Sequence, residues 1–154
     1  MPVLALALAA AAAAAPPMLG PFQQGQSVDD ASGAATRAGL SLKLYDRRGR
    51  YDSYWIVKGQ SDVRGALGVC GGRVQFASFI VEGFDNFTAL LRDKTEEWGQ
   101  PQVKVVTIQV SDASRTLERM TFKWPAHGYE LTFNARKADG MNGNQSFGGG
   151  LKCL

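Results

Sequence analysis

The chain predicts an α+β domain, a mainly antiparallel sheet with one amphipathic helix packed on one face, in the order ββββαβββ. Three observations carry this. Apolar and polar residues alternate over several short segments, the period of a half-buried strand. Two such segments flank Gly71-Gly72, a hairpin signal. One segment alone switches to helical spacing, with Phe87, Leu90, Leu91 and Trp98 on a single stripe.

The elements follow in order. Leu40, Leu42 and Leu44 alternate with Ser41, Lys43 and Tyr45 and predict the first strand. Asp46-Arg47-Arg48-Gly49 is the expected turn, and Tyr51 to Lys58 returns as the second strand. Val63, Leu67 and Val69 mark the third strand, and Val74, Phe76 and Ile80 the fourth. Pairing Val69 with Val74 and Leu67 with Phe76 gives one apolar face. Asp85 or Asn86 caps the helix, and Gly99 with Pro101 ends it.

Val103 to Val110, Thr116 to Trp124 and Tyr129 to Ala135 are the last three strands. The turns between them are Ser111 to Ser114 and Pro125 to Gly128. Pairing Trp124 with Tyr129 sets Met120 against Phe133 and Phe122 against Leu131 on one face. On the other face Lys123 then meets Glu130, and Thr121 meets Thr132. Such agreement between register and chemistry is what a hairpin requires. No internal repeat is visible in the sequence.

This reading divides the chain into four parts. Residues 1–15 resemble a signal peptide, 16–39 read as a flexible linker, and 40–137 form the single domain. Residues 138–154 read as a Gly- and Asn-rich loop and a C-terminal tail, with Phe147, Leu151 and Leu154 expected to dock. The apolar run Val3 to Ala15 is too short to span a membrane, which takes about 20 residues, and Pro16-Pro17 stop it. Its length and small residues fit an export signal, although no Lys or Arg precedes it. The expected location is therefore periplasmic or extracellular, with no transmembrane segment in the mature form.

Cys70 and Cys153 are the only cysteines and fit no CxxC spacing. One disulfide tying the tail to the domain is expected. The formal net charge of +3 comes entirely from residues after 28, and the cations are spread along the chain. A specific nucleic-acid partner is not expected, because such proteins concentrate positive charge on one element.

Sites of chemistry are sparse. His127 is the only histidine and sits in a Pro-Ala-His-Gly turn, the position of a turn residue rather than a general base. Each carboxylate has an ordinary structural place, and no pair converges as acid–base chemistry requires. Asp139 to Gln145 lacks the alternation and closing Glu of a calcium loop, and Gly148-Gly149-Gly150 lacks the Lys of a phosphate loop. No catalytic residue, metal or cofactor is expected.

Two surfaces remain. Arg47, Arg48 and Arg50 crowd one hairpin tip beside Tyr51, a candidate anion site. Trp55, Phe79, Ile108 and Leu117 fall opposite the apolar face covered by the helix, together with Val57, Val81, Val106 and Val110. A sheet covered by one helix has one dry face, so either the sheet curls and buries both faces or these residues are a candidate partner surface. The expected function is that of an exported, non-enzymatic domain binding a protein or a cell-envelope component. The rivals are a small hydrolase with an unrecognised site and an anion-binding module acting through the arginine tip.

Overall fold

The computed structural model describes residues 15–110, 115–136, 140–148 and 153. The signal-like run up to residue 14, the turn at 111–114 and the tail residues Leu151 and Leu154 lie outside them.

The chain begins with a short hairpin, β1 (Met18–Leu19) and β2 (Phe22–Gln23), followed by helix α1 (Val28–Arg37). A meander follows: β3 (Leu40–Arg48), β4 (Tyr51–Lys58), β5 (Asp62–Cys70) and β6 (Arg73–Glu82). Helix α2 (Phe84–Trp98) leads into a second meander of β7 (Gln102–Val110), β8 (Arg115–Trp124), β9 (Tyr129–Arg136) and β10 (Gly140–Phe147). The main sheet has eight strands in the order β3-β4-β5-β6-β10-β9-β8-β7, every pair antiparallel. The α+β class stands, but the order ββββαβββ with one helix is corrected. A second helix and a further sheet strand are present.

That strand order reads the same from both edges inward. Each helix is followed by a four-stranded meander, and the last strands of the two meanders, β6 and β10, pair at the centre. The molecule is thus two α-ββββ units joined back to back, a repeat carried by topology and not by sequence.

Helix α1 lies in the segment expected to be linker. Ser27 caps it: its hydroxyl accepts from the Asp30 N–H at 3.1 Å and donates to the Asp30 carboxylate at 2.6 Å. Gly39 follows its end at φ 71°. Its buried stripe is only Ala31 and Ala35, four residues apart and both 0% exposed. Small residues bring a helix axis close to a sheet, yet in sequence they resemble an Ala-rich linker. Ahead of it, Phe22 is fully buried and stacks on Phe79 with ring centroids 5.9 Å apart.

Strand β10 lies in the segment expected to be loop, and it is central to the sheet. Its glycines and asparagines answer to neighbours. A Cβ on Gly143 would stand 2.9 Å from Phe87 Cδ2 of α2, so only glycine lets the helix settle there. Gln145 accepts the Tyr129 hydroxyl at 2.9 Å, and Phe147 is buried.

Two register findings set the faces. The β8–β9 hairpin pairs as expected: Trp124 with Tyr129, Phe122 with Leu131, Met120 with Phe133. In the β5–β6 hairpin Val69 does meet Val74, but a bulge follows, so Leu67 meets Ala77 and Gly68 meets Phe76. One extra residue exchanges the two faces. Phe76 therefore leaves the apolar face, and Phe79 and Val81 join it. At the first hairpin the strands run on to pair Arg48 with Tyr51, leaving Gly49-Arg50 as the turn, with Gly49 at φ 61°.

The paired row Leu44, Tyr54, Leu67, Ala77, Phe147, Tyr129, Trp124 crosses seven strands on one face. This face carries the core and is covered by α1, α2 and the β1–β2 hairpin. Helix α2 lays Phe87 on Phe133 at 4.8 Å, with Leu90, Leu91 and Trp98 packed against the same core. Cys70 and Cys153 form a disulfide, their Cα atoms 5.7 Å apart.

Candidate binding face

Among the described residues, no helix covers the other face of the sheet. One paired row crosses it through all eight strands: Lys43, Trp55, Ala66, Ser78, Ser146, Glu130, Lys123, Gln102. The row is large at both flanks and small in the middle. Ala66, Ser78 and Ser146 are small, but Phe76, paired with Gly68, and the 42% exposed Ile80 flank Ser78 on this face of β6, and Ser53 is buried. At about 4.8 Å between strands, the central strands separate Trp55 from Lys123 by about 24 Å.

One flank is aromatic. Trp55 on β4 and Tyr45 on β3 stack with centroids 4.0 Å apart and planes 16° apart. Trp55 is 40% exposed and Tyr45 48%. They meet because Tyr45 alternates with the core-facing Leu44 and so shares the face of Lys43, whose partner across the ladder is Trp55. Stacked rings outside the core lose little conformational freedom when a partner covers them.

The opposite flank is cationic. Arg119, Thr121 and Lys123 alternate along β8 with the core residues Met120, Phe122 and Trp124. They line a groove of about 220 Å³ with Lys104 and Val106 of β7 and Glu130 and Thr132 of β9. Arg119 Nε donates to Asn134 Oδ1 at 2.9 Å, which orients the guanidinium. Lys123 Nζ lies 2.7 Å from Glu130 Oε2, and the Thr132 hydroxyl donates to Glu130 Oε1 at 3.2 Å.

The residues singled out by sequence are not brought together. Trp55 belongs to the open face. Phe79 does not: the β5–β6 bulge places it under the β1–β2 hairpin, stacked on Phe22. Val57 is buried, at 2% exposed. Ile108 pairs with Leu117 at the β7–β8 end, but their side chains lie outside the described residues.

At the arginine tip, Arg47 Nε sits 2.6 Å from Asp52 and Arg48 Nε 2.8 Å from Asp46. The Asp52 hydrogen bond and charge raise the Arg47 pKa further. Two of the three guanidiniums already hold a carboxylate of their own hairpin. The Arg50 carbonyl accepts from the Gly71 N–H at 3.0 Å, joining that tip to the next hairpin. Burial raises the pKa of Tyr51 beside it.

His127 stacks flat on Trp98, centroids 4.4 Å apart, a packing role. A second hollow of about 410 Å³ lies beside α2, lined by Arg64, Glu82, Asn86 and Asp93 among others. Its charges pair with protein: Arg64 with Asp62 at 2.8 Å and Glu82 at 3.2 Å, Arg92 with Asp93 at 3.3 Å. Among the described residues no three His, Cys, Asp or Glu side chains cluster as metal ligands would, and no helix is long and apolar enough to cross a membrane.

The cationic groove was missed in sequence, although its alternation was readable. Arg119, Thr121 and Lys123 occupy the solvent side of a correctly paired hairpin, where cations usually serve only solubility. Comparison with protein-family models, with curated proteins and with solved structures finds no match.

Proposed function

We propose that this is an exported, non-enzymatic binding domain whose open sheet face docks a folded protein. The observation that carries the reading is this face, which no described helix covers, with its stacked Tyr45–Trp55 pair and cationic groove. Eight strands of about eight to ten residues span roughly 34 Å by 26 Å, or about 900 Å². A standard protein–protein interface takes about 800 Å² from each partner. Exposed aromatic anchors such as this pair are enriched at interface centres. The disulfide fits the oxidising compartment that the leader implies.

The test is photo-crosslinking in the source cell. A benzoylphenylalanine replaces Trp55 in one variant and Arg92, on the exposed side of α2, in another. A discrete protein adduct from position 55 and none from 92 is expected. The same adduct from both positions, or none from 55, overturns the reading.

A further inference from the structure

We infer that the groove between β7, β8 and β9 receives a single carboxylate side chain, an Asp or Glu carried by the docked protein. This rests on the open face being the docking surface and names what one flank of it recognises. The groove gathers three cations, Lys104, Arg119 and Lys123, around one carboxylate, Glu130, so it holds net positive charge. Lys123 is already paired with Glu130. Lys104 and Arg119 have no ion-pair partner among the described residues.

The geometry is that of an acceptor site. Asn134 holds Arg119 through Nε alone at 2.9 Å, so the four remaining guanidinium protons stay available as a fork. A carboxylate matches that fork in two parallel bonds. Thr121, opposite both Lys104 and Thr132, puts hydroxyls on the groove floor. Like charges side by side on one sheet face repel, and an incoming carboxylate relieves this.

The observations favour a protein acid over a phosphate-bearing polymer. The cations form one spot about 24 Å from the aromatic pair along the same row, not a stripe. Glu130 inside the spot repels a second negative charge, which a phosphate monoester carries and a carboxylate does not. A loop long enough to cross the central strands can then touch the Tyr45–Trp55 pair at one end and the groove at the other.

The test uses the intact disulfide-bonded protein and small blocked probes, followed through backbone amide shifts. N-acetylglutamate methylamide should bind saturably in the millimolar range and shift the amides of Lys104, Thr121 and Thr132. N-acetylglutamine methylamide should shift none of them. Arg119→Gln should weaken glutamate binding about tenfold or more, and Lys104→Gln severalfold. Raising salt from 50 to 500 mM should weaken it further.

Unmoved groove amides, equal shifts with the glutamine probe, or full binding by Arg119→Gln overturns the proposal. Tenfold tighter binding of a blocked phosphoserine also overturns it, in favour of a phosphorylated partner. No partner protein is needed, so failure here leaves the position-55 crosslink standing. Loss of that crosslink with these titrations intact instead removes the docking reading alone.

Discussion

Replacing Gly143 with alanine is a sharp test of the central sheet. A Cβ there would lie 2.9 Å from Phe87 Cδ2 and 3.3 Å from the Val81 Cβ. Comfortable carbon–carbon contact is about 3.5–4.0 Å, so the approach falls short by roughly 0.6–1.1 Å. Phe87 has no room to retreat: it is 3% exposed and wedged against Phe133 at 4.8 Å and Phe122 at 5.9 Å. Overpacking of this kind costs about 1–3 kcal/mol. Alanine offsets about 0.5–1 kcal/mol of that, because glycine loses more chain entropy on folding. Taking the middle of each range, the net expectation is a loss of about 1 kcal/mol, read as a fall in Tm of about 2–4 °C. Urea and thermal unfolding by circular dichroism measure it. Gly33→Ala is the control: it lies inside α1, where a new Cβ meets only Arg37 Nη1, at 3.5 Å, and it should stabilise by about 0.5–1 kcal/mol. Phe87→Leu should return much of the Gly143→Ala loss, by making room. A Gly143→Ala protein as stable as the wild type would refute the packing of α2 on β10, and with it the central place of that strand.

Reduction of the Cys70–Cys153 bond, or Cys70→Ser with Cys153→Ser, should destabilise the protein by about 2–5 kcal/mol, because the bond closes a separation of 83 residues. Equal urea midpoints with and without reductant would contradict that. At alkaline pH, burial holds the Tyr129 hydroxyl protonated well above its ordinary pKa, and burial also raises Tyr51. The unfolded chain then releases these protons first, so stability is full below about pH 10 and declines as pH rises beyond it. Tyr129→Phe should flatten the decline in urea unfolding series from pH 8 to 11, at the cost of the 2.9 Å bond to Gln145.

Much of the candidate site was legible before folding. Arg119, Thr121, Lys123, Glu130 and Thr132 follow from a hairpin whose two faces each agree with their own chemistry. What could not be read was their meaning. A cation on the solvent side of a strand looks the same whether it serves solubility or sits beside a groove, and Lys104 arrives from a different hairpin. The side on which Tyr45 stands was legible from its alternation with Leu44, but the register that sets it beside Trp55 was not. Phe79 was misplaced because its face turns on the bulge beside Gly68, and bulges leave no periodic trace.

By itself the sequence determined those properties that depend on neighbours along the chain. Alternation of apolar and polar residues set most strands, the Phe87-to-Trp98 stripe set α2, and turn chemistry set the hairpins. An even pair of cysteines anticipated their bond. Only the tertiary structure decided where a residue answers to something distant. Gly143 and Gln145 make a strand because Phe87 and Tyr129 stand over them, and neither lies nearby in sequence. Ala31 and Ala35 make a helix stripe because β3 and β6 come close enough to bury so small a side chain. Burial against remote elements supplies most of the energy of such segments, and local pattern carries no record of it. The uncovered face is decided the same way, because which side of an eight-stranded sheet receives both helices is settled only when the two meanders join at β6 and β10.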